Sequence, residues 1–344
     1  MRFAVIGAGN TGKAVTAYLK KEGQEAVLYC RNPQLAQQLC QEGLSAQGAV
    51  EGHFEVKAAS DLAQAVRGAQ AILVQTVASG HAPVAQALKG LLEPGQIILI
   101  FNGNWGAAEF AAILGQEAKE KKVAICETGA QLFLCASPSP TSVNVKTIKQ
   151  GVALACTESA RTGEVMQALK EAFPQLTPGS NVVDTSLNGS NPVVHGPIAT
   201  FNITRMENGE DYTLFGTALP QKTVEYIEHI DAERCAVAEA VGVKSISVLD
   251  ILNSFWPDKK TSVYGALKEN KAYEATPGPK SLKHRYLDED LPYGLVPLVR
   301  LGDVYGVDTP YLDALIRVLG MYLGRDYLKE GPAVETFNFK ELLG

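Results

Sequence analysis

Four apolar residues, Phe3-Ala4-Val5-Ile6, run directly into Gly7-Ala8-Gly9-Asn10-Thr11-Gly12, and the following segment carries Val15, Tyr18 and Leu19 at helical spacing. The order is strand, tight turn, helix. Each glycine has a separate task in such a turn. The first permits the bend, the second lets backbone approach a pyrophosphate, and the third lets helix and strand pack closely. The free amides and the positive end of the helix then face an anion. Alone, this glycine spacing is common, but between an apolar strand and a helix it predicts a dinucleotide clamp made by Gly7, Gly9, Asn10, Thr11 and Gly12.

The alternation continues. Strands are expected at 26–29, 71–75, 97–101 and 123–126, with helices at 33–41, 84–92 and 107–114 between or after them. Apolar strands separated by helices predict parallel pairing in a sheet covered on both faces. Shorter strands are expected at 131–135, 142–148 and 151–156, with a closing helix at 164–173. Ligands of such sheets sit at strand ends, which places Thr76 beneath the dinucleotide.

The second strand ends Tyr29-Cys30-Arg31-Asn32. An NAD-selective site puts a carboxylate about twenty residues after the glycines to receive the ribose 2′-hydroxyl, and a 2′-phosphate needs a cation instead. No Asp or Glu stands at this tip, and Arg31 offers a planar, bidentate guanidinium. NADP(H) is therefore expected ahead of NAD(H).

Composition excludes several classes. Acidic residues outnumber basic ones 37 to 31, for a net charge of −6, so nothing favours nucleic acid. No apolar stretch reaches the roughly 20 residues that span a bilayer, and none of signal-peptide length precedes the glycine turn, so no membrane association and a cytoplasmic location are expected. Six scattered cysteines have no metal-ligand spacing and are expected as free thiols, with no metal site. At roughly 100 to 200 residues per domain, 344 residues accommodate two. The turn-rich Pro178-Gly179-Ser180-Asn181 divides an α/β domain at 1–180 from a helical one at 181–344.

Two clusters in the second half carry chemistry. In Asn188-Gly189-Ser190-Asn191-Pro192-Val193-Val194-His195-Gly196-Pro197, one His lies among small and apolar residues, with Asn191 on its face if the segment is helical. Imidazole is suited to proton transfer near neutral pH, although a lone His is more often structural. The second cluster, Lys283-His284-Arg285-Tyr286-Leu287-Asp288-Glu289-Asp290, offers three acids. One of them could fix the tautomer of a histidine, and spacing does not choose among them.

With these residues in hand, the chain resembles the NAD/NADP octopine and nopaline dehydrogenase family, the opine dehydrogenases. The similar blocks are the glycine turn, Gly103-Asn104-Trp105-Gly106-Ala107-Ala108-Glu109-Phe110, Glu127-Thr128, the Asn191 to His195 segment, and Arg285 to Pro297. The resemblance implies an N-terminal Rossmann domain and a C-terminal all-α domain, with substrate between them. It implies a reaction that condenses an amino-acid amine with a 2-oxo acid and reduces the imine with NAD(P)H. It matches His195 to the catalytic histidine, Asp290 to its carboxylate partner, and Asn191 and Arg285 to substrate-binding positions, and it suggests a homodimer. One stretch departs from the family pattern: 129–136 lacks its Pro-Tyr pair, a difference that bears on the amino-acid substrate. The competing readings are a ketopantoate-reductase-like or glycerol-3-phosphate-dehydrogenase-like carbonyl reductase, for which Lys222 is the nearest candidate lysine, and a non-catalytic NADP-binding protein.

Overall fold

The structure, a computed structural model, describes residues 1–344. β1 (Arg2–Ile6) passes through the glycine turn into α1 (Asn10–Lys21), followed by β2 (Glu25–Tyr29) and α2 (Pro33–Glu42). Next come β3 (Leu44–Gly48), β4 (Gly52–Phe54), β5 (Lys57–Ala59), α3 (Leu62–Val66), β6 (Ala71–Val74) and α4 (His81–Leu88). β7 (Ile97–Ile100), α5 (Gly106–Glu120), β8 (Ala124–Thr128), β9 (Phe133–Ala136), β10 (Ser142–Ile148), β11 (Val152–Cys156), α6 (Thr162–Leu169) and β12 (Leu176–Pro178) complete the α/β part.

Eight strands form one sheet in the order β12-β11-β8-β7-β6-β1-β2-β5. Every neighbouring pair is parallel except β11 with β8. The central strands β6 and β7 are buried at every residue, as expected for strands covered on both faces. Each such Ile, Leu or Val contributes about 1.5–3 kcal/mol by leaving water. This is the Rossmann arrangement expected from sequence. A second sheet, β4-β3-β10-β9, is an addition that the alternation did not predict. Its strands β3 and β4, Leu-Ser-Ala-Gln-Gly and Gly-His-Phe, are too short to show a period; β10 supplies a parallel ladder to β3, and β4 pairs antiparallel with β3.

Helix bounds moved for local reasons. The helix expected at 84–92 starts at His81, because Pro83 is tolerated in a first turn, and stops at Leu88 before Gly90, whose φ is +78°. The helix expected to stop at Leu114 instead kinks at Gly115 (φ 47°, ψ −122°) and resumes to Glu120. The one expected at 164–173 spans Thr162–Leu169.

The chain forms two compact units, Met1–Thr185 with Phe339–Gly344, and Ser186–Asn338. The expected division at 180/181 did not include the return of the last residues to the first unit. α7 (Val182–Leu187) crosses the junction in sequence. The second unit contains α8 (Ser190–Phe201), α9 (Ile203–Glu207), α10 (Gln221–Val241), α11 (Val248–Ser254), α12 (Val263–Lys268), a π-helix at Tyr286–Leu295, α13 (Val296–Tyr305) and α14 (Pro310–Leu323). α15 (Phe339–Leu343) packs in the first unit, where Phe339 meets Trp105 edge-on.

Within the helical unit α10 is the organising element. Its Arg234, 1% exposed, pairs with Asp231 and donates to the Leu187 carbonyl and to Asn188 Oδ1 at 3.0 and 2.8 Å. A buried guanidinium is tolerated only when its donors are taken up in this way. The result anchors the segment that leads into α8. No helix is long and apolar enough to cross a membrane.

Candidate active site

In the first unit the glycine turn has the geometry that its sequence requires. Gly7 has φ +111°, and a Cβ there would stand 2.9 Å from the Gln75 carbonyl. A Cβ on Gly12 would stand 1.7 Å from the Gly7 carbonyl, so helix and strand are in contact at that point. Gly9 differs: nothing lies within 4 Å of an added Cβ. Gly9 is also the N-cap of α1, which has no side-chain cap and no acid in its first turn, while Lys20 and Lys21 occupy its last. Asn10 and Thr11 begin the helix there. Uncapped amides over open space at a helix N-terminus form an anion seat.

The second-strand tip lies beside this seat, since Gly7 N–H donates to the Tyr29 carbonyl at 3.1 Å. Arg31 is exposed there, and Asn32 is occupied in capping α2 through Gln34 N–H and Leu35 N–H. At the end of β6, Gln75 Oε1 and Nε2 and Thr76 Oγ1 are buried without hydrogen-bond partners. Buried polar atoms are normally paired, so three orphans against the glycine turn fit a nucleotide that supplies the partners. Gln75 was not singled out from sequence; its place next to Thr76 after an apolar run was the available signal.

Just past the end of β7 the backbone is strained. Asn102, Asn104 and Trp105 all have positive φ, at 55°, 45° and 71°, a conformation that costs about 1–3 kcal/mol per residue and concentrates at functional sites. Gly103 is required between them, because a Cβ would meet the Glu127 carboxyl at 2.3 Å. Glu127, fully buried, accepts from Ala107 N–H at 3.0 Å and from the Thr185 hydroxyl at 2.9 Å. Burial, and then the Glu127 carboxylate, push the Glu109 carboxyl up to about 7. Asn104 Nδ2 is buried without a partner. The sequence blocks that contain these residues carry the family resemblance, but local pattern assigns no individual role to Asn104, Glu109 or Glu127.

In the second unit, α8 confirms the helical reading of the histidine segment: Asn191 and His195 are one turn apart on one face, with Pro192 in the first turn. The π-helix that bears the second cluster packs against it with almost no clearance. A Cβ on Gly196 would reach Leu295 at 2.6 Å, and one on Gly294 would reach Pro192 at 2.2 Å. Two glycines therefore set how near the helices come, and that approach brings His195 Nδ1 to 2.9 Å from Asp290 Oδ2. Long π-helices are rare and occur mostly at functional sites.

The three acids separate by partner. Asp288 pairs with Arg325, Glu289 with Arg285 (Nε to Oε2, 2.9 Å), and Asp290 with His195. Asp290 is fully buried, and its Oδ1 faces Arg285 Nη2 at 4.0 Å. Burial opposes the charge on Arg285, but the Asp290 and Glu289 carboxylates outweigh it and hold its pKa above the ordinary value. Tyr286 lies flat on the His195 ring, and His284 meets Tyr286 edge-on, its Nδ1 accepting from Tyr286 N–H at 3.3 Å. Burial, then Arg285 and His195, push the His284 imidazole down to about 4, so it is neutral at pH 7. Residue spacing assigns no role to Tyr286, His284 or Glu289, because stacking and pairing are set by the π-helix. Lys222, by contrast, is 88% exposed and pairs with Glu225 on its own helix.

Comparison with known proteins adds to this geometry. Residues 178–323 match the family described as NAD/NADP octopine/nopaline dehydrogenase, alpha-helical domain, and residues 2–103 match the NAD-dependent glycerol-3-phosphate dehydrogenase N-terminus. The opine dehydrogenase of Arthrobacter sp. (strain 1C) is 32% identical over 345 residues, covering 99% of this chain and 96% of that protein. An octopine dehydrogenase solved with NADH and agmatine superposes with a TM-score of 0.77 at 18% identity, covering 100% of this chain and 94% of that one. A yersinopine dehydrogenase solved with NADP⁺ gives 0.73 at 16%, covering 100% and 97%.

Proposed function

This chain belongs to the NAD/NADP octopine and nopaline dehydrogenase family, and we propose that it condenses an amino-acid amine with a 2-oxo acid, His195 and Asp290 handling the proton and NADPH serving as reductant. It is an NAD(P)H-dependent oxidoreductase acting on CH–NH donors, of the opine dehydrogenase type. The observation that carries the residue assignment is the 2.9 Å contact between His195 Nδ1 and the buried Asp290 carboxylate.

A carboxylate accepting at Nδ1 fixes the tautomer in which Nε2 has the lone pair. Nε2 then takes the proton that the attacking amine loses and returns one to the carbinolamine oxygen as water leaves, while Asp290 stabilises the imidazolium formed between these steps. Arg285, held by Glu289, receives a substrate carboxylate through a charge-assisted pair, and Asn191 offers a polar contact one turn from His195. In the nucleotide unit, Gly7, Gly9, Asn10, Thr11 and Gly12 seat the pyrophosphate, Thr76 lies beneath the dinucleotide, and Arg31 meets the 2′-phosphate. Bound NADPH supplies the hydride that converts the imine to a secondary amine. Relatives in this fold have been solved with either nucleotide, so the preference here rests on Arg31 and on the absence of an acid at the β2 tip.

The simple carbonyl-reductase reading has less support. The glycerol-3-phosphate dehydrogenase match is confined to the nucleotide half, and Lys222 stands on the surface. NADPH oxidation measured against a matrix of 2-oxo acids, with and without single amino acids, tests the choice. Consumption that requires both partners, with a product mass equal to amine plus oxo acid minus one oxygen, is expected. Consumption with the oxo acid alone would reject reductive condensation.

A further inference from the structure

Two thiols in the large sheet take no part in the reaction above. Cys126 on β8 and Cys156 on β11 are directly opposed across the antiparallel pairing of that sheet. Thr157 N–H donates to the Ile125 carbonyl and Gly129 N–H to the Ala153 carbonyl, so positions 157/125 and 153/129 are hydrogen-bonded pairs. The alternation of an antiparallel ladder then makes Cys156 and Cys126 a non-hydrogen-bonded pair. At such a pair the Cα atoms come to about 4.5 Å and the side chains lie closest, within the roughly 4.4–6.8 Å that disulfides span. Both cysteines are free and buried.

Their surroundings differ. Cys156 ends its strand next to the first turn of α6, where its backbone N–H donates to the Thr162 hydroxyl at 3.2 Å, and the proximity of Cys126, then Thr162 and Arg161, outweighs burial and holds its thiol below the ordinary value. Cys156 is 1% exposed and Cys126 fully buried, and at Cys126 burial followed by the neighbouring Cys156 raises the thiol. Low-pKa thiols beside cations and helix N-termini are the ones that react. Glu158 and Ala160, both exposed, follow within four residues of Cys156, so a small oxidant would reach the buried thiol through local opening at that strand end.

We propose that Cys126 and Cys156 form a thiol-modification site that closes to a disulfide on exposure to a peroxide. The Cys156 thiolate attacks one peroxide oxygen, the O–O bond breaks, and hydroxide leaves and is protonated, giving a sulfenic acid. The Cys126 sulfur, giving up its proton, then displaces hydroxide from Cys156 as the S–S bond forms. Two thiols and one hydrogen peroxide thus yield one disulfide and two waters. The bond closes a loop of about thirty residues and fixes the strand whose next residue is Glu127, so the oxidised protein unfolds at a higher temperature.

The test treats native protein with hydrogen peroxide, blocks remaining thiols and maps peptides without reductant. A 126–156 linked peptide is expected, with an intact mass lower by two hydrogens and a raised unfolding temperature that dithiothreitol reverses. The same peptide is expected in a variant carrying Ser at positions 30, 40, 135 and 235, and is lost in Cys156→Ser. Absence of the linked peptide from folded protein, its appearance only under denaturant, or passage of Cys156 to sulfinic acid without linkage would overturn the proposal. None of these outcomes depends on which substrates the enzyme takes.

Discussion

The ring of Tyr286 lies against the face of His195, with centroids 4.1 Å apart and an interplanar angle of 26°. The stack holds the imidazole in the plane where Nδ1 meets Asp290, and the ring's electron-rich face stabilises an imidazolium. Removing the ring in Tyr286→Leu is expected to lower kcat by about tenfold, equivalent to about 1.4 kcal/mol, with cofactor affinity unchanged. Tyr286→Phe retains the stack and should retain the rate. Equal losses in both variants would show that the hydroxyl, and not the stacked face, is what matters.

Removing the dyad should separate chemistry from binding. His195→Ala is expected to bind NADPH normally, measured by nucleotide fluorescence, and to lose roughly 10²–10⁴ in turnover, the usual span of a general acid–base contribution. Asp290→Asn should act in the same direction through the histidine tautomer. A shift confined to cofactor affinity would assign Asp290 elsewhere.

Arg31→Asp places a carboxylate where a 2′-hydroxyl would be received and a 2′-phosphate repelled. The ratio of kcat/KM for NADPH to that for NADH should fall by about tenfold or more. Steady-state kinetics with the two nucleotides provides the check, and an unchanged ratio would remove Arg31 from the 2′-phosphate site.

Two glycines of the same turn should behave differently. Gly12→Ala forces a Cβ to within 1.7 Å of the Gly7 carbonyl and is expected to lower the unfolding temperature as well as cofactor binding. Gly9→Ala meets nothing within 4 Å and should leave the unfolding temperature nearly unchanged while weakening NADPH binding. Thermal scans with and without nucleotide separate the two effects.

Glu109 carries a pH signature. Its folded-state pKa, about 7, lies above the ordinary 4.5 because of burial and then Glu127. A group raised on folding contributes its stability below the unfolded value and loses it as pH rises through the folded one. Wild type should therefore lose stability relative to Glu109→Gln between about pH 5 and pH 8, measured by urea unfolding across that range. Parallel pH profiles for the two proteins would contradict this assignment.

The nucleotide half was legible because its signals are local. A strand, three spaced glycines and a helix specify one another within twenty residues, and buried parallel strands read as unbroken apolar runs. Even there, β3 and β4 escaped, since strands of three to five residues are too short to show a period, and β3 is held in its sheet by β10, about a hundred residues further along the chain. The candidate catalytic pair was half legible. The histidine segment and the acid cluster could each be found by composition, and family resemblance paired His195 with Asp290. Residue spacing could not, because 95 residues separate them. What brought them together is the approach of α8 to a π-helix, set by Gly196 and Gly294, which have no Cβ to hold the two helices apart. The same packing sent Asp288 to Arg325, Glu289 to Arg285 and Asp290 to the imidazole. Local pattern determines which side chains a segment offers, and only the packed chain decides which of them meet.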